Sequence, residues 1–369
     1  MQLCSESVLI LTGSFGHGHN TAAYNLEAAF RNALGSEATV TTVDFFQEAY
    51  PCSNGLLRKG YGLAINQFPR LWHFIYSQAD REGGPSLVPL RTFGRKLKKC
   101  FEKHQPTIVV STFPIFPLLI EQCYPDPTER PFKAVTMITD AISINAIWCQ
   151  GQSDLLFVTD DWSKEIVMKE GIPEERVRAH GFPLSPISEA SSLEALPSTT
   201  PRILYLPTTT TSHVRDTLAQ LLPWCKKHDA SLTIVLGSHE KRLNTVVRKA
   251  AEGQENVTVH GWRNDVPRLM REHHLTLTKA GGATVSETLG AQCPALLNYV
   301  VPGQEEGNAE LLKLSDCGHH IHEPSELAAA LSNILVDDDA AVWHRYRASL
   351  KAMNRAEASE HIVRDILKL

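Results

Sequence analysis

Residues 8–30, VLILTGSFGHGHNTAAYNLEAAF, contain the first repeating element of the fold in one stretch. The apolar run at the start predicts a buried β-strand, and the glycines that follow predict a tight turn. Helical spacing of apolar residues then predicts a helix from Thr21 to Leu34. A strand that leads through a glycine turn into a helix usually forms part of a ligand site. Two histidines, His17 and His19, lie in the predicted turn.

The same alternation of short apolar runs and helical patterns continues along most of the chain. The first series of predicted strands is Val8–Thr12, Thr39–Val43, Thr107–Ser111, Ala134–Ile138, Leu155–Val158 and Val177–Ala179. The second series is Ile203–Leu206, Leu232–Leu236, Val257–Val259, Leu275–Thr278 and Ala295–Leu297. Two such series predict an α/β protein with two Rossmann-like, parallel-sheet domains that face each other across a ligand cleft.

The domain boundaries follow from composition. Residues 185–201, SPISEASSLEALPSTTP, are rich in Ser, Pro and Thr and predict a linker. The first domain is therefore expected at residues 1–184 and the second at 202–345. Residues 346–369 are expected to form helices that pack back toward the first domain.

Composition places the chain in the class of soluble globular proteins. It has 369 residues, of which 43% are hydrophobic and 21% charged, with a net charge of −5. No apolar stretch approaches the ~20 residues of a membrane-spanning helix. The start of the chain lacks a basic, apolar signal sequence, and the eight cysteines include no C-x-x-C pair. These features predict a cytoplasmic protein with reduced thiols and no nucleic-acid partner.

Residues 56–103 interrupt the alternation. They hold ten basic and three acidic residues, with aromatic residues between them, in a chain that is acidic overall. This combination suits an anionic membrane surface, although a solvated helical face over core aromatics is the alternative. The residues expected to contact the membrane or a lipid are Trp72, Arg95, Lys96, Lys98 and Lys99.

Residues 278–310, TKAGGATVSETLGAQCPALLNYVVPGQEEGNAE, contain a second candidate site. A strand ending at Lys279 leads through Gly281-Gly282 into a predicted helix that begins at Ala283 and includes Thr284. The exposed N–H groups and dipole of such a terminus suit a diphosphate. Glu287, about one turn into the helix, can accept hydrogen bonds from two vicinal ribose hydroxyls. Its alternative role is a favourable charge near a helix start.

The loop at residues 302–308 follows the next strand and is dense in hydrogen-bonding side chains. Gln304, Glu305 and Asn308 are suited to bind sugar hydroxyls. The alternative interpretation is an ordinary polar turn before a helix.

Taken together, these motifs resemble glycosyltransferase family 28, in the branch of processive diacylglycerol glucosyltransferases and monogalactosyldiacylglycerol synthases. They occur in the family's order over nearly the whole chain, and as a set they are highly specific. The matching residues are the Gly16-x-Gly18-His19 loop, Ser111–Pro114, Met137–Asp140, Gly181–Pro183, Lys279–Gly282 with Glu287, and Pro302–Glu305 with Asn308.

The resemblance implies a GT-B fold, with the acceptor bound by the first domain and a UDP-sugar by the second. It implies inversion at the anomeric carbon without a catalytic metal or other cofactor. An inverting transfer needs a base for the acceptor hydroxyl and stabilisation of the departing UDP. His19 occupies the family's histidine position and is the expected base, with a helix-start structural role as its alternative. Asp140 is expected to orient the imidazole or contact the acceptor.

The resulting functional expectation is transfer of a hexose from a UDP-sugar to a lipid hydroxyl, diacylglycerol first, at the cytoplasmic face of a membrane. The alternatives are another lipid-linked acceptor of cell-wall or lipopolysaccharide synthesis, a UDP-sugar 2-epimerase, and a non-catalytic UDP-sugar sensor. Two departures from the family pattern concern the substrates: residues 207–213, PTTTTSH, replace the usual glycines, and Ala141 replaces a larger side chain. The donor sugar, the acceptor, the number of sugars added and the oligomeric state stay open.

Overall fold

The computed structural model describes residues 6–14, 17–49, 88–185, 193, 195–302 and 305–369. The chain divides into two compact units. The first comprises Met1–Ser185 with Glu357–Leu369, and the second comprises Pro186–Ala356.

The first unit is a parallel sheet with helices on both faces. Its strand order is β2-β1-β3-β4-β5-β6. The strands are β1 (Ser7–Thr12), β2 (Thr39–Asp44), β3 (Ile108–Ser111), β4 (Lys133–Met137), β5 (Leu155–Val158) and β6 (Val177–Ala179). The helices before β6 are α1 (His17–Leu34), α2 (Phe45–Ala49), α3 (Val88–His104), α4 (Phe116–Cys123) and α5 (Asp161–Lys169).

The second unit repeats this architecture with strand order β12-β11-β10-β7-β8-β9, again parallel. The strands are β7 (Arg202–Tyr205), β8 (Ser231–Val235), β9 (Val257–His260), β10 (Leu275–Lys279), β11 (Ala295–Tyr299) and β12 (Gly318–His320). The helices are α6 (Thr211–Lys227), α7 (Glu240–Ala251), α8 (Val266–Arg271), α9 (Gly282–Gly290), α10 (Glu306–Leu314), α11 (Leu327–Leu335) and α12 (Ala341–Met353).

Burial on both faces explains why the predicted strands are continuous apolar runs. In β1, Val8 and Ile10 pack toward α1, while Leu9 and Leu11 pack against the opposite layer with Leu97 of α3. Parallel strands covered on both sides have this pattern instead of strict alternation. The α/β prediction is confirmed, and each predicted strand is present within one or two residues of its expected bounds.

The last helix, α13 (Ala358–Ile366), belongs to the first unit, where Ile362, Val363 and Ile366 pack beside α1. Helix α12 remains in the second unit because Trp343 and Tyr346 lie in that unit's core. The C-terminal boundary therefore lies at residues 356/357, not at the expected 345/346. Of the predicted linker, residues 185, 193 and 195–201 are described and form neither helix nor strand, and residues 186–192 and 194 lie outside the described residues.

Two local features differ from the sequence prediction. Helix α1 begins at His17, so His19 lies in the first helical turn and not in a turn before the helix. Strand β12 was not predicted, because its sequence Gly-His-His lacks the β-branched residues that mark a strand, and pairing with β11 forms it at the sheet edge. Among the described residues, no helix combines the length and apolar character that a bilayer-spanning segment needs.

Candidate active site

Sheet topology brings the predicted catalytic residues of the first unit together. Strands β1, β3 and β4 are neighbours, and their carboxyl ends lead into His19, Thr112 and Thr139 respectively. Ligand sites of open parallel sheets form at this edge. The sequence prediction identified His19 but missed both threonines, which the motifs Ser111–Pro114 and Met137–Asp140 contain.

The imidazole of His19 is held through one ring nitrogen. Nδ1 lies 2.9 Å from the carbonyl oxygen of Thr112 and 2.9 Å from Oγ1 of Thr139. Because a carbonyl oxygen only accepts hydrogen bonds, the contact favours a proton on Nδ1. In the neutral ring, Nε2 then carries the lone pair, and this atom has no hydrogen-bond partner among the described residues. The arrangement prepares Nε2 to accept a proton.

The surroundings of His19 keep the ring neutral. It is half-buried, packs edge-to-face on Phe113 with ring centroids 4.9 Å apart, and lies 6.0 Å from the ring of Trp148. Burial lowers the pKa of His19 below its ordinary value, and this effect outweighs the opposing influences of the Asp140 charge and the Thr112 carbonyl. A neutral imidazole near pH 7 can act as a general base.

Asp140 is held by a different partner. Its Oδ2 accepts a hydrogen bond of 2.6 Å from the indole Nε1 of Trp148, which is buried in a 3₁₀ turn at Ala146–Cys149. Within the described part of the chain, its carboxylate makes no hydrogen bond to His19. Thr112 and Thr139 hold the imidazole by hydrogen bonds, and the expectation that Asp140 helps to orient it stays a prediction. Asp140 acts on His19 through its charge, and contact with an acceptor stays a prediction.

The glycines around His19 have different roles. A Cβ at Gly13 would lie 3.2 Å from the rings of Phe113 and Phe46, so a larger residue here would have to displace these rings by a few tenths of an ångström. A Cβ at Gly18 would meet no atom of the described residues within 4 Å. Gly16 lies outside the described residues.

The second site forms where β10 leads through Gly281 into α9. Lys279 and Glu305 form an ion pair across this turn, and Oε2 of Glu305 accepts a hydrogen bond of 3.1 Å from the N–H of Val301. Asn308 Nδ2 donates to the carbonyl of Ala280 at 2.9 Å. The structure thus brings together Lys279, the glycines, Glu305 and Asn308, as the sequence predicts. Gln304 lies outside the described residues.

The start of α9 is open to a ligand. No side chain caps its N-terminus, so the first N–H groups of the helix keep their hydrogen-bonding capacity. A Cβ at Gly281 would lie 3.4 Å from Lys279 Nζ, and one at Gly282 would lie 3.5 Å from Asn308 Nδ2. Side chains at either position would fill the space between the helix terminus and these polar groups. Thr284 follows in the first turn and is partly buried.

Glu287 lies on α9 with its carboxyl group partly buried, and no hydrogen bond or ion pair engages that side chain within the described ranges. Burial raises the pKa of Glu287 to about 7. A desolvated, unpaired carboxyl group close to an uncapped helix N-terminus is typical of a functional position. Hydroxyl donors of a ligand would supply the hydrogen bonds that the protein does not.

Two further aromatic positions were missed from the sequence. Trp262 follows β9 and is 62% exposed, with its indole Nε1 donating to Asn264 Oδ1 at 2.6 Å. Tyr299 at the end of β11 packs edge-to-face on His213 of α6, with centroids 5.3 Å apart. A single tryptophan after a short strand carries little sequence signal, and its exposure is visible only in the structure.

Residues 207–213, PTTTTSH, which differ from the family pattern, lead into α6 and form its first turn. Thr208 is buried, and its Oγ1 accepts a hydrogen bond from the N–H of Thr210 at 3.4 Å, while the helix begins at Thr211 without a side-chain cap. Side-chain hydroxyls therefore stand where the resembled family has glycines. His213, in the first turn, has a pKa lowered chiefly by burial.

The basic residues expected at a membrane lie on α3. Arg95, Lys98 and Lys99 are exposed, whereas Lys96 is half-buried and donates to the carbonyl of Ala49. Lys98 also lies 5.8 Å from the ring centroid of Tyr124. Trp72 lies outside the described residues. Membrane contact by these residues stays a prediction.

Comparisons with known proteins agree with the motifs. Residues 19–184 match the family model of monogalactosyldiacylglycerol (MGDG) synthase. A processive diacylglycerol beta-glucosyltransferase of Bacillus thuringiensis is 27% identical over 383 residues, covering 99% of this chain and 94% of that protein.

Solved structures show the same fold at low identity. MurG of Acinetobacter baumannii aligns with a TM-score of 0.63 and 12% identity, over 99% of this chain and 100% of that one. UDP-GlcNAc 2-epimerase of Neisseria meningitidis, bound to UDP-GlcNAc, aligns with a TM-score of 0.55 and 14% identity, over 98% and 100% of the two chains. The fold is GT-B, and the chain is a glycosyltransferase that is similar to the MGDG synthases and the processive diacylglycerol glucosyltransferases.

Proposed function

We propose that the protein transfers a hexose from a UDP-sugar to the free hydroxyl of diacylglycerol, with inversion, at the cytoplasmic face of a membrane. The observation that carries the proposal is His19, whose Nδ1 is held by Thr112 and Thr139 while Nε2 is left to accept a proton. The names of the similar proteins support the choice of a lipid acceptor.

The donor fits the second unit. The diphosphate accepts hydrogen bonds from the uncapped N–H groups of α9, and the ribose hydroxyls donate to Glu287. The hexose hydroxyls bind to Glu305 and Asn308. The exposed Trp262 offers a ring on which the uracil of UDP stacks.

The reaction is a single displacement. The acceptor hydroxyl attacks C1 of the hexose as His19 Nε2 takes its proton, and a new C1–O bond forms. The bond from C1 to the diphosphate oxygen breaks, and its electron pair stays on UDP. The helix N–H groups stabilise this developing charge, with no metal or other cofactor assigned a step. Attack from the face opposite UDP turns an α-linked donor into a β-linked product.

The direct test is product identification. The full-length protein is incubated with UDP-glucose, UDP-galactose or UDP-GlcNAc, each with mixed lipid vesicles that contain diacylglycerol. We expect one UDP-sugar to give a glycosyldiacylglycerol together with an equal amount of UDP. If a cell-wall or lipopolysaccharide intermediate were glycosylated instead, glycosyl transfer would stand but diacylglycerol would not be the acceptor. An epimerised UDP-sugar, or UDP-sugar binding without any product, would refute transfer itself.

A charge-reversal variant tests the membrane contact. Lys98→Glu with Lys99→Glu is expected to reduce binding to anionic vesicles by roughly 30-fold or more, because both side chains are exposed on α3 and each cation near the surface contributes about 1 kcal/mol. The remaining binding should weaken further as salt rises. Vesicle sedimentation measures the bound fraction.

The matched control makes the same charge change in the second unit. Lys226→Glu with Lys227→Glu alters two exposed lysines at the end of α6. This control should sediment with vesicles almost like the unmodified protein. Equal binding by both double variants would remove α3 from the membrane contact.

A further inference from the structure

A cluster of metal-ligating side chains joins α2 and α3, and none of its residues takes part in the proposed reaction. It consists of Glu48 of α2 with Cys100 and His104 of α3, and their ligand atoms all lie within 4.8 Å of one another. Cys100 and His104 are four residues apart on one helix, so their side chains share a face. Glu48 approaches that face from the other helix.

Two members of the cluster have a buried ligand atom without a partner among the described residues. His104 is half-buried, and its Nε2 atom is shielded from solvent and has no hydrogen-bond partner within those residues. Cys100 is 7% exposed, and its thiol makes no hydrogen bond within the described part of the chain. Buried polar side-chain atoms normally have a partner. A bound ion would supply one to both residues.

The chemistry of the three ligands selects the kind of ion. Thiolate, imidazole and carboxylate together suit Zn²⁺ and similar borderline metals, whereas Mg²⁺ and Ca²⁺ prefer oxygen ligands alone. One thiolate and one carboxylate also balance a divalent charge. Burial and the neighbouring Glu48 raise the pKa of Cys100 to about 11, so metal binding has to release the thiol proton.

Lys103 occupies a supporting position. Its Nζ lies 2.6 Å from Oε1 of Glu48, which leaves Oε2 free to bind an ion. Carboxylates that bind metals are commonly held by such an outer hydrogen bond.

The cluster has room and access for an ion. A surface groove of about 240 Å³ opens beside Glu48 and Cys100. Ligand atoms around a tetrahedral zinc ion lie roughly 3.3–3.6 Å apart. Side-chain rotations that move the ligand atoms of the cluster by about 1 Å would bring them to this spacing. Three protein ligands leave the fourth position for water.

We propose that Glu48, Cys100 and His104 form a binding site for Zn²⁺ that links α2 to α3. The ion would join the end of α2 to the C-terminal part of α3. The site is independent of the proposed glycosyl transfer.

Cobalt is the probe for the thiolate. Chelator-treated full-length protein is titrated with Co²⁺, and a thiolate-to-cobalt charge-transfer band in the near ultraviolet is expected at one equivalent. Cys100→Ser should abolish the band, whereas the control Cys123→Ser, which changes a half-buried thiol of α4, should keep it. Absence of the band in the unmodified protein, or its persistence in Cys100→Ser, would overturn the proposal.

Thermal unfolding with zinc provides the second readout. Zn²⁺ is added at two equivalents, so that one equivalent is in excess of the site. It should raise the melting temperature of the unmodified protein by several degrees, because the ion binds the folded state. His104→Gln, at the end of α3, should fold normally and lose most of this rise. An equal rise in both proteins would mean that zinc binds elsewhere and would also refute the site.

Discussion

His19→Ala is expected to lower kcat by roughly 10²–10⁴-fold, the usual contribution of a positioned general base. UDP affinity should hardly change, because the donor-binding residues proposed here lie in the other unit. The control His319→Ala removes an exposed histidine of β12 and should turn over normally. Turnover, UDP affinity and melting temperature are measured on the same preparations.

A structural role for His19 predicts a different result. The variant would then lose thermal stability while each folded molecule stayed nearly as active. Added imidazole should restore part of the activity only if the missing group is a base. Normal turnover by a stable His19→Ala protein would assign proton transfer elsewhere, and Asp140 would become the next candidate.

The pH dependence of the unmodified enzyme follows from the His19 environment. Burial lowers the pKa of His19 below the ordinary value of 6.5, so the neutral base persists to lower pH than that of a free histidine. We expect kcat to be level near pH 7 and to fall only in acid below 6.5. The unfolded chain binds this proton more readily, so the histidine's stabilising contribution to folding also decreases as pH falls below 6.5. A fall of kcat in acid with its midpoint above pH 6.5 would contradict the role of His19 as the base.

Glu287→Ala is expected to weaken UDP binding by about 1–3 kcal/mol, equivalent to roughly 5- to 150-fold in Kd. The variant loses the carboxyl group that the ribose hydroxyls are proposed to bind. The control Glu360→Ala changes an exposed glutamate in the first turn of α13 and should bind UDP normally. Calorimetric titration of folded protein gives both constants, and an unchanged Kd in Glu287→Ala would remove this residue from the site.

The raised pKa of Glu287 predicts the direction in which UDP affinity changes with pH. With the pKa at about 7, the carboxyl group is partly protonated near neutral pH and accepts two hydroxyl hydrogen bonds better once ionised. UDP binding should therefore tighten as pH rises through 7. Titration of UDP itself affects both proteins equally, so the difference between the unmodified protein and Glu287→Ala isolates the contribution of Glu287.

Local sequence patterns predicted the elements of the fold because burial on both faces makes each strand a short apolar run. They failed where neighbours decide the outcome. Pairing with β11 forms β12 although Gly318-His319-His320 has little strand character, and packing of Trp343 keeps α12 in the second unit. The start of α1 was placed too late because glycine and histidine at its first turn read as a loop.

The candidate sites were predictable only in part. Motif spacing located His19, Gly281 and Glu287, since each follows a strand that ends at the ligand edge of its sheet. The hydrogen bonds that fix His19 come from Thr112 and Thr139, which are 93 and 120 residues distant in sequence. Pairings over such separations follow from strand order, which local periodicity does not determine. The hydrogen bond between Asp140 and Trp148 is local by contrast, because the 3₁₀ turn at Ala146–Cys149 lies only a few residues further along the chain.

The anomeric configuration of the glycolipid product tests the central claim most directly. The product of UDP-sugar and diacylglycerol is isolated, and the proton at C1 of its hexose is examined by NMR. Direct attack of a lipid hydroxyl activated by His19 on an α-linked donor predicts a β-glycosyldiacylglycerol. An α-linked product would contradict a single displacement with His19 as base.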